Sequence, residues 1–120
     1  MTGRVDKDGR ALVTISIRAT ASSQSVEVEA WIDTGFTGEL VLPQTTIDSL
    51  GLEQTGTLDA QLGDGSFAVL HRYSCLIRWL GRERTIVVVA NSGSTPLLGV
   101  ALLLASKLSV DYPARVVAIE

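Results

Sequence analysis

The 120-residue sequence has a hydrophobic content of 46%, three prolines and a formal net charge of −3. This composition is typical of a globular protein and excludes a disordered chain, and we expect a single domain over residues 1–120. Because the net charge is negative and no run of Lys or Arg occurs, nucleic acid and acidic membranes are not expected as partners.

Single copies of cysteine and histidine limit the chemistry that the chain can carry. Cys75 has no second cysteine to pair with, which fits a reducing compartment. His71 could serve a Ser-His-Asp triad, but we interpret it as a surface or strand residue, and we expect no metal ion and no organic cofactor. The polar N-terminus lacks the apolar core of a signal peptide, and the apolar runs are too short to span a bilayer, so a soluble, cytoplasmic protein is expected.

Two strands are predicted in the first third of the chain. Apolar and polar residues alternate from Val13 to Arg18, within the strand-like run from Ala11 to Ile17, and apolar residues recur at every second position from Val26 to Ile32, which is the period of a half-buried strand. The polar segment between them predicts a hairpin, and its second strand leads directly to Asp33.

An acidic residue stands at the end of that second strand. Asp33 is followed by Thr34 and Gly35, and after a second glycine the chain enters an apolar strand, Leu40 to Leu42. The chain therefore makes a tight loop with a carboxylate at its base. Taken alone, Asp-Thr-Gly is a weak signal, because Asp often caps a neighbouring amide in an ordinary turn.

A hairpin is predicted in the middle of the chain. Thr45 to Leu50 reads as a short helix that ends at Gly51, and Leu52 to Gly56 reads as a loop. Two strand-like runs, Leu58 to Leu62 and Phe67 to Leu70, then flank a turn sequence that is a strong hairpin signal. The turn consists of Gly63, Asp64, Gly65 and Ser66.

The last third of the chain predicts a second strand pair and a change of period. Tyr73 to Leu80 and Thr85 to Ala90 form the pair, turned at Gly81-Arg82, and the continuously apolar second strand should be buried on both faces. Leu97-Leu98-Gly99 is a short apolar strand, followed by residues of high helix propensity up to Leu108. The tail ends in an apolar strand, which needs a partner because unpaired edges invite association.

Two of these motifs resemble the signatures of aspartic peptidases. The run Ile32-Asp33-Thr34-Gly35 is similar to their active-site signature, and its continuation from Phe36 to Pro43 is more similar to small retropepsin-like peptidases of bacteria than to the viral enzymes. Leu97-Leu98-Gly99 before a helix is similar to the second signature of that family. The resemblance covers nearly the whole chain, with specific motifs at these two places. It implies an all-β, retropepsin-like acid protease fold, a single lobe with one short C-terminal helix.

The resemblance also implies a mechanism. Peptide hydrolysis by carboxylates needs one to take a proton from water and one to donate a proton, whereas this chain has a single Asp-Thr-Gly. A homodimer would supply Asp33 twice, with Thr34 bonding across the interface, Gly35 admitting the substrate and the turn from Gly63 to Ser66 acting as a flap. In the resembled family the chain termini interleave across the dimer interface. Because two close carboxylates do not both ionise cheaply, a bell-shaped rate profile on the acidic side of neutral is expected.

Three functions follow from the sequence. The first is an aspartic endopeptidase acting on peptide or protein substrates, and the second is a non-catalytic peptide-binding module of the same fold. The third is a structural or interaction domain in which the motifs arose by chance. The intact triplet at Asp33 argues against the second, since a binding module does not need that acid. Side chains that could line a groove, although each is more often simple packing, are Trp31, Leu62, Phe67 and Val69.

Overall fold

The computed structural model describes all 120 residues, and most of them lie in strands. The strands are β1 (Thr2–Val5), β2 (Ala11–Arg18), β3 (Val26–Asp33), β4 (Leu40–Pro43), β5 (Glu53–Gln61), β6 (Phe67–Trp79), β7 (Arg82–Asn91), β8 (Leu97–Gly99), β9 (Leu108–Asp111) and β10 (Val116–Ile119). One α-helix, α1 (Gln44–Leu50), and one 3₁₀ helix (Val100–Leu102) complete the fold. The predicted all-β class is confirmed.

All ten strands belong to one sheet, in the order β5-β6-β7-β4-β8-β3-β2-β1-β10-β9. Strand β6 also pairs with β2, through Ile17 opposite Ile77, so the sheet curls back on itself and encloses the apolar core. The alternation predicted for β2 is confirmed, because Val13, Ile15 and Ile17 are buried while Thr14 between them is exposed. Burial of these aliphatic side chains supplies the main driving force for this part of the fold.

Helix α1 has the predicted position and end. Gly51 follows it with φ of 66°, a left-handed conformation that glycine adopts without strain, and Ile47 is buried against the core. The loop predicted over Leu52 to Gly56 is wrong, since β5 begins at Glu53. Hydrogen bonding to β6 holds this polar segment in an extended conformation. The pairing register between the two strands shifts between Gln54 and Gly56.

Strands β6 and β7 form the second predicted pair. The turn lies at Leu80 and Gly81, both with positive φ, one residue before the predicted position. In β7, Ile86, Val88 and Val89 are buried, whereas Val87 and Ala90 are only half-buried, so burial on both faces is partial. Val87 and Val89 border a cavity.

The segment after Gly99 is less helical than its propensity predicts. The C-terminal helix consists of the 3₁₀ turn Val100–Leu102, followed by further turns. The chain cannot stay helical up to Leu108, because Lys107 and Glu120 already exchange backbone hydrogen bonds of 2.7 and 3.0 Å next to β9. Tertiary pairing here overrides helix propensity.

The terminal strands find their partners within the chain. Strand β10 pairs with β1 on one side and with β9 on the other, and the Met1 amino group donates to the Ile119 carbonyl oxygen. Strand β10 is thus paired on both sides within the chain, whereas β9 forms an open edge of the sheet. Interleaving of the termini across a dimer interface stays a prediction. Among the helices, none has the length and apolar character needed to cross a membrane.

Candidate active site

The end of β3 places the Asp33 carboxylate beside the second glycine motif. Strand β8 runs parallel to β3 and antiparallel to β4, with Asp33 opposite Gly99 and Leu40 opposite Leu98. Because β8 lies between β3 and β4, the loop that joins those two strands passes over the end of β8. The two sequence motifs, 66 positions apart, thus meet in one place.

Three consecutive amides hold this loop. Gly99 N–H donates to the Glu39 carbonyl oxygen at 2.8 Å, and Val100 N–H donates to the Phe36 carbonyl oxygen at 2.8 Å. Ala101 N–H donates to the carbonyl oxygen of Gly38 at 3.1 Å. Three backbone hydrogen bonds of ordinary length fix the loop against the start of the 3₁₀ helix.

Glycine is required at the contact between the two motifs. A Cβ atom at Gly99 would overlap the carbonyl oxygen of Gly38, and the Phe36 Cδ2 atom would lie 2.5 Å from it. A Cβ atom at Gly38 would lie 2.5 Å from Phe36 Cζ. The backbones therefore approach more closely than any side chain permits, which is the physical basis of the glycine in each motif.

The carboxylate itself is oriented locally. Asp33 Oδ1 accepts a hydrogen bond from Gly35 N–H at 3.0 Å, and the Asp33 carbonyl oxygen accepts one from Phe36 N–H at 3.1 Å. Asp33 is half-exposed and Thr34 beside it is exposed. The predicted triplet Asp33, Thr34 and Gly35 therefore presents one oriented carboxylate and one hydroxyl at the protein surface.

The predicted hairpin of β5 and β6 ends in an ordered turn. Leu62 N–H donates to the Ser66 carbonyl oxygen at 2.7 Å, and Gly65 has a φ of 87°. Asp64 Oδ1 accepts hydrogen bonds from the Ser66 hydroxyl and from its N–H, which together lower the pKa of the Asp64 carboxyl below its ordinary value. The four turn residues Gly63, Asp64, Gly65 and Ser66 are exposed.

Two cavities lie between this hairpin and the loop after Asp33. The smaller, of about 580 Å³, is bordered by the loop from Gly35 to Glu39 and by β5 and β7, and the larger, of about 780 Å³, extends along the hairpin. The residues that border both are Phe36, Ala60, Gln61, Leu70 and Val89. Of the four side chains considered for a groove, Leu62 and Val69 border the larger cavity, whereas Trp31 and Phe67 border neither. The turn from Gly63 to Ser66 also borders neither, so the arms of the hairpin, not its tip, contact the cleft.

Glu39 is a site residue that the sequence gives no signal for. Its Oε1 accepts a hydrogen bond from Val87 N–H at 2.9 Å, and its Oε2 lies 3.6 Å from Arg84 Nη2. Leu40 pairs with Val88 in the β4–β7 ladder, so Glu39 binds the amide of the preceding residue of β7 through its side chain. Glu39 also borders the smaller cavity. Burial, together with the negative charge of Glu39, raises the pKa of the Cys75 thiol to about 12.

No family model and no curated protein matches the sequence of this chain. Solved structures do match its fold. A retropepsin-like aspartic protease from Rickettsia conorii has a TM-score of 0.65 at 18% identity, covering 99% of this chain and 88% of that one. The EIAV protease, in complex with the inhibitor HBY-793, has a TM-score of 0.61 at 17% identity, covering 88% of this chain and 97% of that one. The protease of simian foamy virus has a TM-score of 0.51 at 15% identity, covering 77% and 92% of the two chains.

Proposed function

Since the chain has the retropepsin-like fold, we propose that residues 1–120 form a single aspartic endopeptidase domain that hydrolyses peptide bonds as a homodimer. The observation that supports this most strongly is the Asp33 carboxylate, which Gly35 N–H orients at the end of β3. The loop that follows it, from Gly35 to Glu39, borders a cleft under a hairpin. Fold alone does not define function, so the proposal depends on this site.

The chemistry needs two copies of Asp33. In the proposed reaction one carboxylate takes a proton from a water molecule while the other, protonated, donates a proton to the carbonyl oxygen of the scissile bond. The water oxygen bonds to the carbonyl carbon, and the tetrahedral intermediate then releases the amine after proton transfer to its nitrogen. Two Asp33 side chains on a twofold axis supply both groups without a metal ion or an organic cofactor.

Neighbouring residues have separate roles in this proposal. Thr34, which is exposed, donates or accepts a hydrogen bond across the dimer interface, and Gly35 lets the substrate backbone approach the carboxylates. The turn of Gly63, Asp64, Gly65 and Ser66 closes over the bound peptide as a flap, excluding bulk water from the site. An extended peptide then lies between the flap arms and the loop from Gly35 to Glu39.

The alternative is a non-catalytic peptide-binding module of the same fold. Strand β9 lies at an open edge of the sheet, where an extended peptide can add as a further strand. A monomer would have a peptide-sized cleft but a single carboxylate. Concentration dependence therefore separates the two functions.

The decisive experiment is cleavage of an unbiased peptide mixture by the wild type and by Asp33→Asn, from acidic to neutral pH and at two protein concentrations. Asn keeps the shape of the side chain but cannot act as the base. Asp48→Asn is the matched control, because Asp48 is exposed on α1 and borders neither cavity. Asn also keeps an oxygen that can accept the hydrogen bond from Gln44.

The two functions predict different results. For the homodimeric peptidase, the wild type and Asp48→Asn cleave with a bell-shaped pH profile, Asp33→Asn does not, and the rate rises more than linearly with protein concentration. Absence of cleavage at every pH and concentration, together with peptide binding by both the wild type and the Asp33→Asn variant, would establish the binding module instead.

A further inference from the structure

We propose that Phe36 is a specificity-determining residue: it borders both cavities of the cleft, and its ring limits the size of the substrate side chain that they accept. This inference deepens the proposed function and rests on it. The two cavities, of about 580 and 780 Å³, are the side-chain compartments of the cleft.

Phe36 has a distinct position among the residues that border both cavities. Ala60, Gln61 and Leu70 belong to the hairpin above the cleft, and Val89 belongs to β7 at its side. Phe36 alone comes from the loop that carries Asp33. In the proposed function the hairpin moves when a substrate enters, whereas the loop is held by the amides of Gly99, Val100 and Ala101. Phe36 is therefore the fixed residue at the boundary between the two cavities, which is called the partition.

The Phe36 ring cannot move toward Gly38 and Gly99 to make room for a larger substrate side chain. Its Cζ and Cδ2 atoms lie 2.5 Å from where Cβ atoms would stand on Gly38 and Gly99, so the ring already packs directly on backbone. Its own backbone is fixed at both ends, because Phe36 N–H donates to the Asp33 carbonyl oxygen and Val100 N–H donates to the Phe36 carbonyl oxygen. A packed side chain on a fixed backbone resists displacement by a ligand.

The partition has a direct consequence for the substrate. In an extended peptide, alternate side chains point to the same side, so one chain can place a side chain in each compartment. A side chain too large for one compartment would need to displace the ring. We therefore expect the wild type to accept small and medium side chains next to the scissile bond and to discriminate against indole-sized ones.

Substitution of Phe36 tests this size limit. Matched peptides carrying Ala, Leu or Trp next to the scissile bond are compared by kcat/KM for the wild type, Phe36→Leu and Phe36→Ala. Phe36→Ala is expected to raise the ratio of kcat/KM for the Trp peptide to that for the Ala peptide by about tenfold or more, because a few methylene groups in an apolar pocket change discrimination by this order. The ratio for Phe36→Leu should lie between those of the wild type and Phe36→Ala. Tyr112→Ala, an exposed aromatic truncation in the turn between β9 and β10, should leave the ratio unchanged.

A binding measurement keeps this test separate from that of the peptidase. The same peptides are titrated against Asp33→Asn, with and without Phe36→Leu or Phe36→Ala, and the dissociation constants are compared. If the wild type cleaves but neither Phe36 variant changes the size preference by more than about twofold, the partition is wrong and the peptidase stands. If nothing is cleaved but affinity for the Trp peptides rises in the Phe36 variants, the partition stands and the peptidase fails. Phe36→Leu retains packing on Gly38 and Gly99, so it decides the matter if Phe36→Ala does not fold.

Discussion

Gly99 lies directly opposite Asp33 in the parallel pairing of β8 with β3, and its amide donates to the carbonyl oxygen of Glu39 at the far end of the same loop. One glycine thus contacts the loop of the candidate active site at both of its ends. The loop cannot keep its geometry if this contact changes.

Gly99→Ala should disrupt both stability and the site. The added methyl group would overlap the Gly38 carbonyl oxygen, and because that atom belongs to fixed backbone, we expect a loss of about 1–3 kcal/mol in the free energy of unfolding. Denaturant unfolding measures this loss. Gly93→Ala is the control, since a Cβ atom there meets nothing closer than 3.8 Å. Equal stability of the two variants would show that the close approach is not as tight as described.

Thr34→Val should weaken the proposed dimer. The substitution keeps the shape of Thr34 and removes its hydroxyl, at about 1 kcal/mol for each hydrogen bond, and a twofold axis loses the bond twice. The dimer dissociation constant is therefore expected to rise roughly thirtyfold, as measured by sedimentation equilibrium. Thr34→Ser should stay close to the wild type. Thr37→Val, at another exposed threonine of the same loop, is the matched control, and an equal effect of both valine variants would argue against a specific role of Thr34.

Cys75 should make stability depend on pH in the alkaline range. Burial, with the charge of Glu39, raises the pKa of its thiol from 9.0 to about 12, so the folded chain keeps a proton that the unfolded chain releases. The free energy of unfolding should therefore fall as the pH rises above about 9, by at most about 1.4 kcal/mol for each pH unit. Denaturant unfolding of the wild type and of Cys75→Val over this range isolates the effect, because the variant lacks the thiol. Parallel curves for the two proteins would contradict it.

The Asp64 carboxylate should order the hairpin turn in a pH-dependent way. Its pKa is lowered from the ordinary 3.8 by the Ser66 hydroxyl and N–H, so the ordering is fully present above 3.8 and is lost as the pH falls through the lowered pKa of the folded state. The chemical shift of the Ser66 amide should follow this transition. Asp64→Asn keeps an acceptor oxygen and should retain the turn without the transition, whereas Asp64→Ala should lose the turn at every pH. A Ser66 amide that is insensitive to both substitutions would refute this role.

Several parts of the fold could be predicted from local pattern alone. Alternation of apolar residues predicts β2, and glycine at position 51 predicts the end of α1. The sequence Gly63-Asp64-Gly65 predicts the turn of the β5–β6 hairpin. Each of these depends on neighbouring residues along the chain, which is the range over which hydrophobic period and turn chemistry act.

Other parts could not be predicted because distant residues decide them. Gln54 is polar and has no strand pattern, yet it lies in β5 because β6 offers it a partner. The residues after Gly99 favour helix, but the pairing of Lys107 with Glu120 limits them to one 3₁₀ turn. In both places the gain from tertiary hydrogen bonds exceeds a propensity of a fraction of a kcal/mol per residue.

The sequence by itself determined which acid stands at a strand end and that a tight turn follows it, because both follow from local strand and turn chemistry. It also predicted the retropepsin-like fold through a resemblance, which the structure bears out. Only the tertiary structure decided that Gly99 lies against Gly38, that Glu39 binds the Val87 amide and that Phe36 borders both cavities. These contacts join residues far apart in sequence, and their geometry exists only once β8 has entered the sheet between β3 and β4.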